Sequence, residues 1–222
     1  MLTAIIDYSS GNLHSAQKAF EKITASNNLG SIVVTSDPEI ISTADRLVLP
    51  GDGAFPSCKS ELMSSEAYEA MVYSAVDKSR PFLGICVGMQ LMAIRSYEYQ
   101  ETQGLGWIDG EVRKINPKDK TLKIPHMGWN TLNIESDHPV LRCIHNGDHV
   151  YFVHSFQMMI KNKEQRLAFT DYGTDITAVV GKENMVGLQF HPEKSGQIGL
   201  QIIENFLSWS PVSYTHLRAH ET

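Results

Sequence analysis

The stretch Gly84-Ile85-Cys86-Val87-Gly88 restricts this chain more than any other feature. It lies between a compact apolar run, Pro81 to Ile85, and a helix-like stretch, Val87 to Arg95. A strand that turns at once into a helix forces the residue at the turn into a strained conformation. Its neighbours two positions away must then lack side chains to avoid a clash. G-x-C-x-G is the thiol counterpart of the G-x-S-x-G elbow, which presents a nucleophile at the carboxyl end of a central strand. Open α/β sheets place their ligands at that end. Cys86 would also stand at a helix N-terminus, where the dipole favours a thiolate. The competing reading is a buried structural cysteine, since cysteine is among the most buried residue types.

The pattern around the elbow alternates strand and helix. Leu2 to Ile6 reads as a strand and Tyr8 to Asn12 as a polar turn. Leu13, Ala16, Phe20 and Ile23 follow at helical spacing. Ser31 to Thr35 is the next strand. Ser36 and Glu39 have capping-box spacing around Pro38, which predicts a short helix. Arg46 to Leu49 is a third strand, broken by Pro50-Gly51-Asp52-Gly53. A helix is expected from about Ser57 to Lys78, with Leu62, Tyr68, Met71, Val72 and Val76 mostly on one face. The second half reads as short strands at Glu111–Ile115, Thr131–Ile134, His149–Val153, Ile176–Val180 and Met185–Phe190. Gln197 to Trp209 closes the chain as an amphipathic helix, with Ile198, Ile202, Ile203, Phe206 and Leu207 inward. This order predicts an α/β fold of three layers: a mostly parallel sheet, helices on both faces, and an antiparallel extension.

Length and composition agree with one domain over residues 1–209. The chain has 222 residues, against roughly 150 for a typical domain. At 42% hydrophobic and 20% charged it is too apolar for large-scale disorder. No apolar run approaches the roughly 18 residues that would span a bilayer. The start has no basic segment before its apolar run and does not read as a signal peptide. A net charge of -6 without a basic run argues against nucleic acid as a partner. The three cysteines, Cys58, Cys86 and Cys143, are odd in number and far apart, which argues for a reducing cytoplasm and thiol chemistry. Residues 210–222 continue no pattern and resemble translated linker. His216 and His220 there are spaced i, i+4 but have no third ligand nearby, so no metal site is expected.

A cysteine nucleophile needs a base, and of the nine histidines His191 stands out. It follows an apolar strand and precedes Pro192 and Glu193. In an extended stretch, residues i and i+2 point to the same side. Glu193 can therefore orient one ring nitrogen of His191 while the other faces Cys86, in the order nucleophile, base, orienting carboxylate. The developing oxyanion needs donors. The Val87 amide is the natural first, and the glycines of Pro50 to Gly53 would let a second backbone N–H approach. On its own, that last segment reads as a plain tight turn.

With GICVGMQ and HPEKS together, the chain resembles the class I (triad) glutamine amidotransferases. Further matching segments, LVLPGDGAFPSC, GLGWIDGEV and YFVHSFQ among them, spread over essentially residues 2–209. DYSSGN and PHMGWN narrow the resemblance to those glutaminase subunits that serve a (β/α)₈ cyclase of histidine biosynthesis. The resemblance implies Cys86 as nucleophile, His191 as base and then acid, and Glu193 as orienting carboxylate. It implies that Gly51, Gly53 and Val87 line the oxyanion site, and that Gln90 and Glu98 hold the glutamine head group. Ser155 and Phe156 would contact it through the backbone. Gln90 also lies one helical turn after Cys86, so both could face one side. The resemblance further implies that no metal or organic cofactor is required. Met127, Trp129 and Asn130 would lie at the interface with the cyclase, in a heterodimer that passes ammonia to the barrel.

The sequence departs from the family at two points. Phe156 stands where tyrosine is usual, and Asp52 where an apolar residue is common. Two other readings stay open: a glutaminase subunit serving another pathway, and a catalytically dead binding module on the same fold.

Overall fold

The computed structural model describes residues 1–9 and 12–211. Its first half runs β1 (Leu2–Ile6), α1 (Leu13–Asn27), β2 (Ser31–Thr35), α2 (Pro38–Thr43), β3 (Arg46–Gly51), α3 (Phe55–Ser64), α4 (Ala67–Val72), β4 (Phe82–Cys86) and α5 (Val87–Leu91). A run of strands follows: β5 (Ala93–Ser96), β6 (Thr102–Gln103), β7 (Ile108–Lys114), β8 (His126–Thr131), β9 (Asn133–Ile134), β10 (His149–His154), β11 (Phe156–Ile160), β12 (Arg166–Asp171), β13 (Asp175–Lys182) and β14 (Met185–Leu188). Helix α6 (Gly196–Ser208) ends the series.

The main sheet has eight strands in the order β2-β1-β3-β4-β14-β13-β12-β9. The first five are mutually parallel and the last three extend the sheet antiparallel. The chain steps from β1 out to β2, then reverses to reach β3 on the other side of β1. With right-handed crossovers, that reversal puts α1 and α2 on opposite faces. The packing agrees: α1 lies against α6, and α2 against α4. Strands β3 and β4 are buried along their whole length, as expected of central strands covered on both faces. On α6, Ile202, Ile203, Phe206 and Leu207 are fully buried, each contributing roughly 1.5–3 kcal/mol. Ile198 is only half-buried.

Several local expectations need correction. The α2 cap is Asp37, not Ser36: its Oδ1 accepts from the Glu39 amide at 2.8 Å. The long helix expected over 57–78 breaks at Ser65, and its last turn widens over Tyr73–Asp77, leaving Val76 47% exposed. Helix α5 stops at Leu91 because residues 104–108 pair with the chain that follows it. The amides of Leu105, Gly106 and Ile108 bond to the carbonyls of Leu91, Ala93 and Met92. Tertiary pairing overrides the helical pattern there. The stretch expected at Thr131–Ile134 is two separate strands, β8 and β9. Strand β14 pairs parallel to β4 and belongs to the central part of the sheet. Strands β7 and β10 lie in smaller sheets, β11-β7-β5-β6 and the β8/β10 ribbon, and do not extend the main one. The expected tail contributes only residues 210 and 211 to the described chain; His216 and His220 lie outside it.

The elbow glycines have definite partners. A Cβ on Gly84 would stand 2.7 Å from the Gly88 carbonyl group, and one on Gly88 only 1.8 Å from the Leu49 carbonyl oxygen of β3. Backbone cannot yield as a side-chain tip can, so Gly88→Ala must separate α5 from β3. Chemical denaturation of Gly88→Ala should show a loss of about 1–3 kcal/mol or more. Stability within about 0.5 kcal/mol of the parent would contradict this packing.

Candidate active site

Three parallel strands end side by side. Gly51 at the end of β3 is paired in register with Cys86 at the end of β4, and β14 on the other flank leads through Gln189 to His191. Cys86 sits at the β4–α5 junction with φ 55° and ψ -112° and is 5% exposed. A positive φ is uncommon for a residue with a side chain, and this ψ lies outside the small left-handed well. Such strain persists only where the surroundings over-determine it, and it clusters at functional sites. Here β4, β3 and the two glycines over-determine it.

His191 is buried and its backbone is pinned. Its amide donates to the Tyr151 carbonyl at 3.0 Å, and its carbonyl accepts from the Ser195 hydroxyl at 2.6 Å. Its Nδ1 is 2.8 Å from Glu193 Oε1, with side-chain exposures of 5% and 3%. That is the i, i+2 pairing expected from the sequence. Nε2 has no aligned hydrogen bond. Even so, Cys86 is close enough to act on the ring. Burial alone would lower the imidazole pKa, but hydrogen bonding and charge from Cys86, then Glu193, outweigh it and push it up to about 10. A nucleophile and a base that act together need not be aligned for a hydrogen bond until a substrate is bound.

A cavity of about 130 Å³ opens beside Cys86. Gly53, Val87, Gln90 and Glu98 line it, with Ser155 and Phe156 opposite. Gly51 lies outside that cavity, against a narrow gap shared with Pro50, His191 and Glu193. Asp52 is exposed at the cavity mouth. The Gln90 amide donates to the Phe156 carbonyl and to Gln189 Oε1, both at 3.0 Å. Glu98 is buried rather than solvated. Its Oε2 accepts from the Phe55 amide at 2.8 Å, capping α3 from across the fold, and burial raises its pKa.

On β8, Met127 and Trp129 are 60% and 57% exposed and share one face. Asn130 turns the other way, toward His126 and the Asp171 carbonyl. Trp129 is therefore not a core residue; its ring meets Tyr151 edge-on at 6.0 Å. Among the described residues, no group of three or more His, Cys, Asp or Glu is arranged to hold a metal.

Sequence reasoning missed three contributors. Gln189 bonds Gln90 and points its amide at the Cys86 sulfur, 3.9 Å away. It lies two residues before His191, so alternation along the strand could have found it. Buried Tyr8 donates its hydroxyl to the Pro50 carbonyl at 2.9 Å, fixing the end of β3. His154 lines the cavity, and nothing local distinguishes it from a core residue.

The glutamine amidotransferase class-I family model matches residues 4–209. The chain is 59% identical over 212 residues to the imidazole glycerol phosphate synthase subunit HisH of Ruegeria pomeroyi, covering 95% of this chain and 100% of that one. It is 54% identical to the HisH subunit of Cereibacter sphaeroides over 212 residues, with the same coverage of both chains. Among solved structures, a putative GMP synthase subunit from Thermoplasma acidophilum superposes with a TM-score of 0.66 at 20% identity, over 93% of this chain and 92% of that one. A second, described as a glutamine amidotransferase, gives 0.67 at 16% identity, over 91% and 98%. These two share the fold.

The raised His191 proton affinity can be read directly. In histidine NMR of the parent, the His191 ring should stay protonated through neutral pH. In Cys86→Ala, which removes the sulfur's hydrogen bond and charge, its titration should move down toward the ordinary value near 6.5. An unchanged titration would show that Cys86 does not act on the ring.

Proposed function

The chain belongs to the class-I glutamine amidotransferase family, and from that premise we propose that it is the glutaminase subunit of an imidazole glycerol phosphate synthase. The observation that carries this reading is the strained Cys86 beside the buried His191–Glu193 pair, at the wall of a cavity also lined by Gln90 and Glu98. Residues 1–209 would form the one catalytic domain.

In this reading the Cys86 thiolate attacks the side-chain amide carbon of glutamine. The bond formed is C–S, and the carbonyl electrons move onto oxygen. The Val87 amide and a backbone N–H of the Gly51–Gly53 segment stabilise that oxygen. His191 starts as imidazolium, held so by Cys86 and Glu193, and gives its proton to the departing nitrogen. The C–N bond breaks, ammonia leaves and a thioester remains. Water then attacks the thioester, His191 takes its proton, and glutamate is released with the thiolate restored. Glu193 keeps the ring oriented and charged throughout. No step calls for a metal or an organic cofactor.

Ammonia free in neutral water becomes protonated and loses its nucleophilicity, so it must be delivered directly. The proposed recipient is a cyclase subunit with a (β/α)₈ barrel, which would form imidazole glycerol phosphate and aminoimidazole carboxamide ribonucleotide. The exposed Met127 and Trp129 suit this docking, because methionine and aromatic residues are enriched at interface cores. We place the protein in the cytoplasm on its three cysteines, none of them in a disulfide, and no helix among the described residues is long and apolar enough to cross a membrane.

Cys86→Ala should lower glutamine-dependent synthesis by the complex by at least about 10³-fold while leaving ammonia-driven synthesis intact. Retained glutaminase activity would refute the nucleophile assignment. Separately, the isolated chain should hydrolyse glutamine poorly and be stimulated strongly by the barrel cyclase with its ligand bound. Full activity alone would point to a stand-alone hydrolase, and capture of a synthetase instead of a barrel would point to another pathway.

A further inference from the structure

Behind the cavity wall runs a chain of hydrogen bonds that the proposed mechanism does not use. The Asn130 amide lies 3.2 Å from His126 Nε2. His126 Nδ1 lies 3.0 Å from His154 Nε2, and His154 Nδ1 lies 2.8 Å from the Phe156 carbonyl oxygen. That same oxygen accepts the Gln90 amide at 3.0 Å. His126 and His154 face each other across the β8/β10 ribbon and are 2% and 6% exposed. The His126 ring is also stacked on Phe152 and Tyr172, at 4.7 and 4.1 Å between centroids.

The direction of every bond in this chain is forced. A carbonyl only accepts, so the proton of His154 is on Nδ1. Burial holds both rings neutral, lowering His126 to about 4 and His154 to about 3. His154 Nε2 is then an acceptor, so His126 donates from Nδ1. His126 Nε2 is an acceptor in turn, filled by the Asn130 amide. Both lone pairs of the Phe156 carbonyl are used, one by His154 and one by Gln90. The oxygen on which Gln90 is seated is therefore held from behind by two ordered imidazoles that begin on β8.

We propose that His126 is a positioning residue for the substrate glutamine: it fixes His154, and through it the Phe156 carbonyl that seats the Gln90 amide in the head-group pocket. This rests on reading the cavity as the glutamine site. Strand β8 then does two things on its two faces. Met127 and Trp129 point outward from it, and His126 and Asn130 point inward. A displacement of β8 by whatever docks on Met127 and Trp129 would stretch the 3.0 Å His126–His154 bond and loosen Gln90.

The test is steady-state glutaminase kinetics of the complex between the full chain and its cyclase subunit. His126→Phe keeps an aromatic ring in the stack but deletes both hydrogen bonds. It should raise KM for glutamine at least about tenfold with kcat within about threefold, the signature of lost ground-state positioning. His126→Asn puts an amide donor where Nδ1 stood and should return KM to within about threefold of the parent. His126→Gln puts its amide where Nε2 stood and should not. An unchanged KM in His126→Phe, or a loss that His126→Asn fails to mend, would overturn the proposal. If His126→Phe does not fold, equal KM values for His126→Asn and His126→Gln would overturn it just as directly. A parent complex that hydrolyses no glutamine would sink the glutaminase reading and this inference with it. An active parent with parent-like variants would sink this inference alone.

Discussion

The turn at Cys86 is the constraint on which the rest of the molecule depends. A side-chain-bearing residue at φ 55° and ψ -112° is unfavourable, and it is held there because β4 passes straight into α5 with no loop between them. That passage is open only because Gly84 faces Gly88 and Gly88 faces the carbonyl of Leu49. The same close approach seats α5 on β3 and sets Gly51 level with Cys86. On the other flank, β14 runs parallel to β4, so its carboxyl end delivers His191 to the same edge. Three adjacent parallel strands thus put Gly51, Cys86 and His191 at one rim, as open α/β sheets do at their carboxyl ends.

Electrostatics then separates the histidines around the cavity into two kinds. His191 has the Glu193 carboxylate and the Cys86 sulfur as neighbours and is held protonated. His154 has a carbonyl and another neutral ring as neighbours, and is held neutral by burial, reinforced by the charge of the nearby His191. Two protonated rings side by side in a buried site would repel. Placing all acidic neighbours on one and none on the other lets one move protons while the other serves as a fixed strut.

The parts of this arrangement that are legible in the sequence are those set by local geometry. The elbow follows from the steric needs of a strand-to-helix turn, and the His191–Glu193 pair from alternation in an extended segment. Burial of the whole of β4 agrees with its apolar run. The unread parts depend on contacts between distant segments. Glu98 looks like a surface carboxylate until α3 is seen to end on it. The stretch Val87 to Arg95 scans as one helix until residues 104–108 pair with it and draw Ala93–Ser96 into a strand. Strand β11 carries Gln157 among apolar residues, and β12 carries Arg166, Thr170 and Asp171, which blur their period. Proximity in sequence groups Asn130 with Met127 and Trp129, although a period of two separates it from them.

The central claim is that one cysteine sulfur of three is the reactive one, despite being almost wholly enclosed. Cys143 is exposed, whereas Cys86 and Cys58 are buried. A glutamine-shaped electrophile such as 6-diazo-5-oxo-L-norleucine separates reactivity from mere access. After incubation with the chain bound to its cyclase subunit, peptide mass mapping should find a single adduct, on Cys86, whose formation glutamine slows. An adduct on Cys143 or Cys58 in its place, or none at all, would contradict the account.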